Sequence, residues 1–90
     1  MYKKTVKIIN QTGLHARPAS EFVECAEQFE SRIKIARVGE EDEEVNAKSM
    51  VMLLTLGLCQ DEEAVITAKG ADEEQAVETL VKLIQSGFGE

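Results

Sequence analysis

The chain's only histidine stands beside an arginine, at the point where a predicted strand gives way to a predicted helix. The segment reads Gly13-Leu14-His15-Ala16-Arg17-Pro18-Ala19. The first turn of a helix has N–H groups without helical partners and the positive end of the helix dipole, and Arg17 adds a two-pronged donor. This arrangement suits an anion, and it can hold the oxygens of a phosphate group.

His15 also has the chemistry of a nucleophile toward phosphorus. Free imidazole has a pKa of about 6.5, so much of it is neutral near pH 7 and offers a nitrogen lone pair. Phosphoryl transfer needs chiefly positioning and neutralisation of oxygen charge, which this segment could supply without a metal. The spacing fits equally well a His15 that only caps the helix beside a solvated Arg17, and it does not decide between the two.

Periodic patterns predict the elements that position this segment. Val6 and Ile8 share one parity across residues 3–9, which predicts a strand with one buried face. Apolar residues at steps of three and four predict an amphipathic helix over 16–29, and Pro18 is tolerated in its first turn. The apolar positions of this helix are Ala19, Phe22, Val23, Ala26 and Phe29.

The middle of the chain predicts a hairpin and a short helix. Alternation over 32–37 predicts a strand, and an acidic turn over 40–44 leads to a short strand at 45–47. The turn lacks the Asp-x-Asp spacing of a calcium loop, which favours a solvated, self-repelling loop. Ser49 as N-cap and Gly57 as stop predict a short apolar helix between them.

The last part of the chain predicts a strand over 64–69 and a helix that starts after Asp72. The side chain of Asp72 is expected to cap this helix, with Gln75 completing a capping box. Gly87 is expected to end it. Its apolar face is formed by Ala76, Val77, Leu80, Val81, Leu83 and Ile84.

The resulting order βαββαβα, without repeat or linker, predicts an α+β protein with one domain over residues 1–90. The expected architecture is an open-faced two-layer sandwich, a four-stranded antiparallel sheet with three helices on one face. Ninety residues, 43% of them hydrophobic, can fill one such core. They are too few to enclose a deep active site, so we expect function at the surface.

Composition excludes several classes of partner and site. A formal net charge of -7 and no dense Lys/Arg block argue against nucleic acid and anionic membranes, and favour a protein partner. Residues 1–9 contain neither a signal-peptide block nor a membrane span, which predicts a cytoplasmic protein. Cys25 and Cys59 lie far apart without a C-x-x-C motif, so neither predicts a metal site, and Cys25 is expected at the core or its boundary.

The seven-residue segment around His15 resembles the signature of HPr, the histidine-containing phosphocarrier of the bacterial phosphoenolpyruvate:sugar phosphotransferase system. Three further segments, spread over most of the chain, are similar to the same family. They are Ala47-Lys48-Ser49 with Thr55-Leu56-Gly57-Leu58, the run from Gly70 to Val77, and Leu80-Val81-Lys82-Leu83. The family fold is the open-faced βαββαβα sandwich already predicted from the patterns.

The resemblance implies a phosphoryl relay centred on His15. By it, His15 accepts a phosphoryl group on Nδ1 from phosphorylated enzyme I, with phosphoenolpyruvate as the original donor, and passes it to IIA proteins or domains of sugar permeases. Arg17 corresponds to the arginine that stabilises the phosphoryl group, and the amides of Ala16 and Arg17 to the anion cradle. Such a carrier is a monomer without a cofactor or membrane insertion, and it is not a stand-alone enzyme.

The resemblance also implies a regulatory site and a partner surface. In the Gram-positive branch the serine that corresponds to Ser49 is phosphorylated by HPr kinase/phosphorylase, which adds transcriptional regulators to the partners. The residues that correspond to the docking surface are Ser20, Met50, Val51, Leu54, Thr55 and Leu58. From the pattern alone the apolar members could equally be core, and we expect a mixture.

Departures from the family pattern leave other functions open. Glu24 and Glu27 stand where some members carry lysines, which predicts a slower encounter with an acidic enzyme I or compensating charges on it. Met52 stands where a small or polar residue is common, which weighs against kinase recognition of Ser49. The alternatives are a carrier of the nitrogen-related branch, or a regulatory binding module that acts through Ser49 and the apolar patch.

Overall fold

Seven strands and helices follow one another in the predicted order in a computed structural model that describes all 90 residues. They are β1 (Tyr2–Lys7), α1 (Ala16–Ala26), β2 (Arg32–Arg37), β3 (Val45–Asn46), α2 (Met50–Leu56), β4 (Glu63–Lys69) and α3 (Glu73–Gln85). Two short 3-10 turns lie at Glu41–Glu43 and Gly87–Gly89.

The four strands form one antiparallel sheet in the order β1-β4-β2-β3. Its core-facing side presents one parity of each strand, for example Val6 opposite Ala64 and Ile35 opposite Ile66. All three helices pack on this side, and the other side of the sheet carries none. The predicted α+β open-faced sandwich is therefore confirmed.

The core lies between this sheet face and the apolar faces of the helices. Phe22 of α1 and Leu80 of α3 are fully buried in it, as the periodic patterns predict, and so is Leu53 of α2. Burial of each such side chain contributes about 1.5–3 kcal/mol of hydrophobic free energy. The core therefore fixes α1 on the sheet, and with it the turn that precedes α1.

Three predicted elements, β1, α1 and β3, are shorter in the structure, and β3 ends at Asn46 rather than at residue 47. β1 ends at Lys7, although the Ile8 amide still donates to the carbonyl of Glu62, the residue just before β4, at 2.9 Å. α1 ends at Ala26 because Phe29 donates to the Ala26 carbonyl, a three-residue turn tighter than an α-helical one. Ile8 is still fully buried and Phe29 half-buried, so their side chains serve the core as predicted.

The caps of α2 are those the sequence predicts. The hydroxyl of Ser49 accepts a hydrogen bond from the amide of Met52 at 3.2 Å. Gly57 adopts a left-handed conformation with φ +66°, and its amide donates to Leu53. A residue with a side chain would be strained there, so the glycine sets the end of the helix.

The predicted capping box of α3 is wrong. Asp72 makes no capping bond; its carboxylate accepts instead from the amides of Glu30 and Ser31 and from the Ser31 hydroxyl. These hydrogen bonds, that of the Ser31 hydroxyl first, hold the pKa of Asp72 below its usual range. Asp72 therefore ties the loop after α1 to the start of α3, a long-range contact that no local pattern shows.

The acidic turn over 40–44 is exposed throughout, in agreement with a solvated loop. Only Glu40 has a cationic neighbour, an Arg37 guanidinium nitrogen at 3.4 Å. No three His, Cys, Asp or Glu side chains anywhere in the molecule are grouped to hold a metal ion. The helices, α3 included, lack the length and continuous apolar character required to cross a bilayer.

Candidate functional site

The loop before α1 is fixed by a buried asparagine and a glycine. The Asn10 side chain donates to the Gly13 carbonyl at 2.9 Å, and the Gly13 amide donates to the Asn10 carbonyl at 3.1 Å. Gly13 has φ +75°, and a Cβ there would lie 2.6 Å from the Leu58 carbonyl oxygen. The Leu14 amide donates to that same carbonyl at 2.9 Å, so the loop is held against the chain after α2.

His15 occupies the N-cap position of α1 without using its side chain as a cap. Its backbone is extended, with φ −133° and ψ 166°, and the imidazole makes no capping hydrogen bond. His15 is half-buried, and its ring nitrogens are not among the buried polar atoms that lack a hydrogen-bond partner. The interpretation of His15 as a helix cap is therefore wrong, and the ring is available for chemistry.

The amides of Ala16 and Arg17 are free at the start of α1. Neither donates to a backbone carbonyl, and the first helical donor is the Ala19 amide, 3.4 Å from the His15 carbonyl oxygen. Pro18 has no N–H, and the first turn contains no acidic residue. The two amides and the dipole thus form an open anion-binding end beside the imidazole.

Ala16 has φ +51°, a left-handed conformation that is unusual for a residue with a Cβ. Such a conformation costs about 1–2 kcal/mol relative to the right-handed one. It also belongs to the backbone arrangement in which successive N–H groups converge on one anion. The rest of the fold holds Ala16 there, as happens at ligand-binding turns.

The guanidinium of Arg17 is held from two sides. One nitrogen lies 2.9 Å from a Glu21 carboxylate oxygen, one turn along α1, and another donates to the Phe88 carbonyl at 3.3 Å. The side chain is 65% exposed, so the ion pair adds little stability. Its value is positional, because the remaining N–H groups can reach an anion at the helix start.

The last residues of the chain, Phe88 and Glu90, help to hold this site in place. The sequence patterns did not predict this role. Phe88 is buried with φ +55°, and its carbonyl meets Arg17. The Glu90 carboxylate accepts from the Thr12 amide at 2.9 Å, which lowers the pKa of Glu90, and from Asn10 at 3.4 Å. An aromatic residue between two glycines beyond a helix end is the one sequence signal that could have indicated it.

The α2 surface, defined as Met50, Val51, Met52, Leu54 and Thr55, lies on the helix packed beside α1. Val51 is 73% exposed, Met52 42% and Leu54 41%, an unusual share for apolar side chains on one short helix. Such an exposed apolar cluster is typical of an interaction site. Met52 was not among the predicted partner residues.

Two other predicted partner positions differ from this exposed cluster. Leu58 is fully buried, so its assignment to the partner surface is wrong; it belongs to the core and anchors the loop before His15 through its carbonyl. Ser20 is half-buried on α1. Glu24 on the same helix and Glu27 at its C-cap are exposed, so their charge meets any partner that approaches along the helix.

Cys25 is half-buried on α1, and burial raises the pKa of its thiol. A reactive cysteine needs the opposite shift, since the thiolate is the nucleophile. Cys25 therefore supports the core, as predicted.

Known proteins match this arrangement over nearly its full length. The family model described as the PTS HPr component phosphorylation site matches residues 2–86. The phosphocarrier protein HPr of Haemophilus influenzae is 48% identical over 84 residues, 93% of this chain and 95% of that protein. A multiphosphoryl transfer protein of the same organism is 40% identical over 96% of this chain, which spans 17% of that longer protein.

A solved structure shows the same fold. The crystal structure of HPr-C-His from Thermoanaerobacter tengcongensis superimposes with a TM-score of 0.93 at 44% identity, covering 100% of this chain and 98% of that one. The chain therefore belongs to the HPr family, the phosphocarriers of the phosphotransferase system, and is a carrier of phosphoryl groups rather than a stand-alone enzyme.

Proposed function

We propose that His15 is the phosphoryl acceptor, that it takes its group from phosphorylated enzyme I, and that it gives the group to IIA components of sugar permeases. In the first step a ring nitrogen of His15 attacks phosphorus, a P–N bond forms and the bond to the donor breaks. In the second step a nucleophile of the IIA component attacks phosphorus, and the P–N bond to His15 breaks as the imidazole leaves. The observation that carries the proposal is an uncommitted imidazole beside two unpaired amides and an arginine. Residues 1–90 would act as one carrier domain.

The same residues would stabilise the phosphoryl group on His15. The amides of Ala16 and Arg17 can donate to its oxygens, and the Arg17 guanidinium can balance part of its charge. Because these donors are held in place by the fold, little reorganisation is required as charge develops during transfer. Glu21 and the Phe88 carbonyl act by positioning Arg17.

Incubation with phosphoenolpyruvate and enzyme I tests the acceptor. We expect one acid-labile phosphate per chain in the natural protein and none in His15→Ala. The variant should fold normally, because the imidazole makes no capping bond in the structure; circular dichroism checks this. Acid-labile label on a folded His15→Ala chain would refute His15 as the acceptor.

The α2 surface is proposed to dock both enzyme I and the IIA components. Val51→Asp should weaken their binding by at least about tenfold, because a carboxylate would enter an apolar contact. Val38→Asp is the matched control, since Val38 is 41% exposed but lies outside α2. Isothermal titration with each partner measures the effect, and equal losses in the two variants would remove the assignment.

Ser49 is proposed as a regulatory phosphorylation site for HPr kinase/phosphorylase, with transcriptional regulators as the readers. The added phosphate would carry about two negative charges next to the α2 surface and oppose acidic partners. Incubation with ATP and the kinase should label Ser49 and leave Ser49→Ala unlabelled. Absence of label on the natural chain would remove this regulatory role.

Complementation separates the relay from its alternatives. The chain should restore sugar uptake to a strain without its own carrier, whereas His15→Ala should not. Normal uptake with His15→Ala would favour a regulatory module that acts through Ser49 and the α2 surface. A chain that receives phosphate only from a nitrogen-branch enzyme I would belong to that branch. The monomeric state and the cytoplasmic location of the protein stay predictions.

A further inference from the structure

The open side of the sheet collects cations in a chain that is acidic overall. Because side chains alternate along a strand, the residues out of phase with the buried ones share this side. Half of the chain's ten Lys and Arg residues lie there, against a single carboxylate, Glu63. The cations are Lys3, Lys7, Arg32, Lys34 and Lys69.

Most of these cations have no carboxylate partner. On the helix side, Lys4, Arg17 and Arg37 each lie within 4.0 Å of a glutamate. On the open side only Lys7 has a carboxylate neighbour, an Asp61 oxygen 4.0 Å from its ammonium nitrogen. Arg32 and Lys69 even stand directly opposite each other on β2 and β4, and a like-charge pair in that position destabilises a sheet. Stability of the fold does not explain this arrangement.

The molecule's one cavity lies at this end of β2. It has a volume of about 280 Å³ and opens between β2, β3 and the loops that flank them. Its walls contain three cationic side chains against one carboxylate, and one apolar side chain. The lining residues are Glu30, Ser31, Arg32, Ile33, Lys34, Asn46 and Lys48. A polar, cationic cavity of this size suits a small charged ligand and not an apolar one.

Several donors in this cavity are uncommitted. Arg32 and Lys34 make no ion pair, and the Asn46 side-chain oxygen accepts from the Lys48 amide at 2.9 Å, which leaves its NH₂ group free. The Lys48 ammonium is fixed by one hydrogen bond, to the Phe29 carbonyl at 2.6 Å, and keeps two further N–H groups. Ser31 is the exception, since its hydroxyl donates to Asp72.

We propose that this cavity, named the β2–β3 cavity, binds a small polyanion with two or more phosphate or carboxylate groups. Arg32 would grip one group as a fork, while Lys34 and Lys48 would bind the other. More than one negative charge is required because three cations line the walls. The site is separate from His15, so it does not depend on the proposed relay.

NMR titration of the ¹⁵N-labelled full chain tests the proposal with two probes, pyrophosphate and citrate, each at constant ionic strength. Saturable shifts of the backbone amides around 31–34 and 46–48 are expected with at least one probe. The probe that binds more tightly identifies the group recognised. Shifts that never saturate, or that are confined to residues 13–18, would overturn the proposal.

Charge reversal supplies the second test. Lys34→Glu should weaken binding of the better probe by at least about tenfold, through loss of a charge-assisted bond and added repulsion. Lys3→Glu is the matched control, because Lys3 has the same side of the sheet and the same cross-strand neighbour, Thr67, but does not line the cavity. Equal weakening by both variants would mean a diffuse field and no site.

Discussion

The first turns of α1 and α3 are both positive ends of helices, yet the chain surrounds them with opposite charges. α3 begins with two glutamates in its first turn, and the Glu73 carboxylate accepts from the Gly70 amide just before the helix. α1 has no acidic residue in its first turn and presents His15, two free amides and Arg17. One helix start is closed by the protein's own carboxylates, and the other is open.

The difference teaches that a helix dipole becomes a binding site only when the chain keeps its own anions away from it. In a protein with seventeen acidic residues, a helix start stays open only where the chain places no carboxylate in its first turn. Ala16 and Arg17 fill the positions where α3 has glutamates, while Glu21, one turn further on, pairs with the Arg17 guanidinium. The glutamates at the start of α3 stabilise that helix through its dipole. At the start of α1 the same favourable interaction is left for a transferred phosphoryl group.

Making α1 resemble α3 should have the largest effect. In Arg17→Glu a carboxylate replaces the guanidinium beside His15, so the phosphoryl group would lose a donor and meet a like charge. We expect the rate of transfer from phosphorylated enzyme I to fall by about 1,000-fold. Rapid-quench single-turnover kinetics measures it.

Lys82→Glu, the same charge change on an exposed position of α3, should leave that rate within about twofold. A similar fall in the two variants would show that net charge, and not the start of α1, controls transfer.

The second-largest effect should come from the turn that aims His15. Gly13→Ala places a Cβ 2.6 Å from the Leu58 carbonyl oxygen at φ +75°, so it should lower the free energy of unfolding by about 3 kcal/mol. Gly39→Ala meets no atom within 4 Å at φ +91° and should cost only about 1 kcal/mol. Urea denaturation compares them, and equal losses would show that crowding against Leu58 is unimportant.

Local pattern carried much of the fold. The parity of Val6 and Ile8, the helical steps from Ala19 to Ala26 and the caps Ser49 and Gly57 each depend on neighbours in sequence, and each is confirmed. The prediction that Asp72 caps α3 was wrong because its hydrogen-bond partners, Glu30 and Ser31, are some forty residues away in sequence and compete with the local cap. Sequence neighbours alone do not reveal whether the Asp72 carboxylate caps its own helix or accepts from the amides of a distant loop.

The site was predictable in part for the same reason. His15 and Arg17 lie two residues apart at one helix start, so their chemistry could be predicted from the sequence directly. The bond from Arg17 to Phe88 crosses 71 residues, and the left-handed Ala16 is imposed by packing. Leu58 was misplaced because it follows a helix that is apolar on most sides, and only tertiary packing decides which residues of this stretch are buried.

The Asp72 carboxylate, which ties the loop after α1 to the start of α3, should make the stability of the fold depend on pH. Its pKa is lowered in the folded state, so its stabilising effect is present above about pH 4, the unfolded value, and is lost as pH falls through the folded pKa. Asp72→Asn should therefore reduce Tm by several degrees at pH 7 and by much less near pH 2. Asp42→Asn, in the exposed acidic turn and without an ion-pair partner, is the control and should change Tm little.

Calorimetry across this range measures both variants. A Tm difference for Asp72→Asn that is constant with pH would mean that the charge on Asp72 does not contribute, and that its hydrogen bonds are equally well made by an amide.

The smallest effect should separate strain from charge at the start of α1. Ala16→Gly removes a Cβ at φ +51°, so relief of strain and added freedom of the unfolded chain nearly cancel, with a net gain in stability of about 0.5 kcal/mol. Ala71→Gly, at an exposed position without positive φ, has only the entropic term and should lose about that amount.

Chemical denaturation of both variants gives the sign of each change, and single-turnover transfer gives its consequence at His15. A glycine should also loosen the two amides, and we expect the rate to fall about threefold as pre-organisation is lost. If Ala16→Gly destabilised the fold as Ala71→Gly does, the left-handed turn would not be strained. The contrast between α1 and α3 would then be one of charge alone.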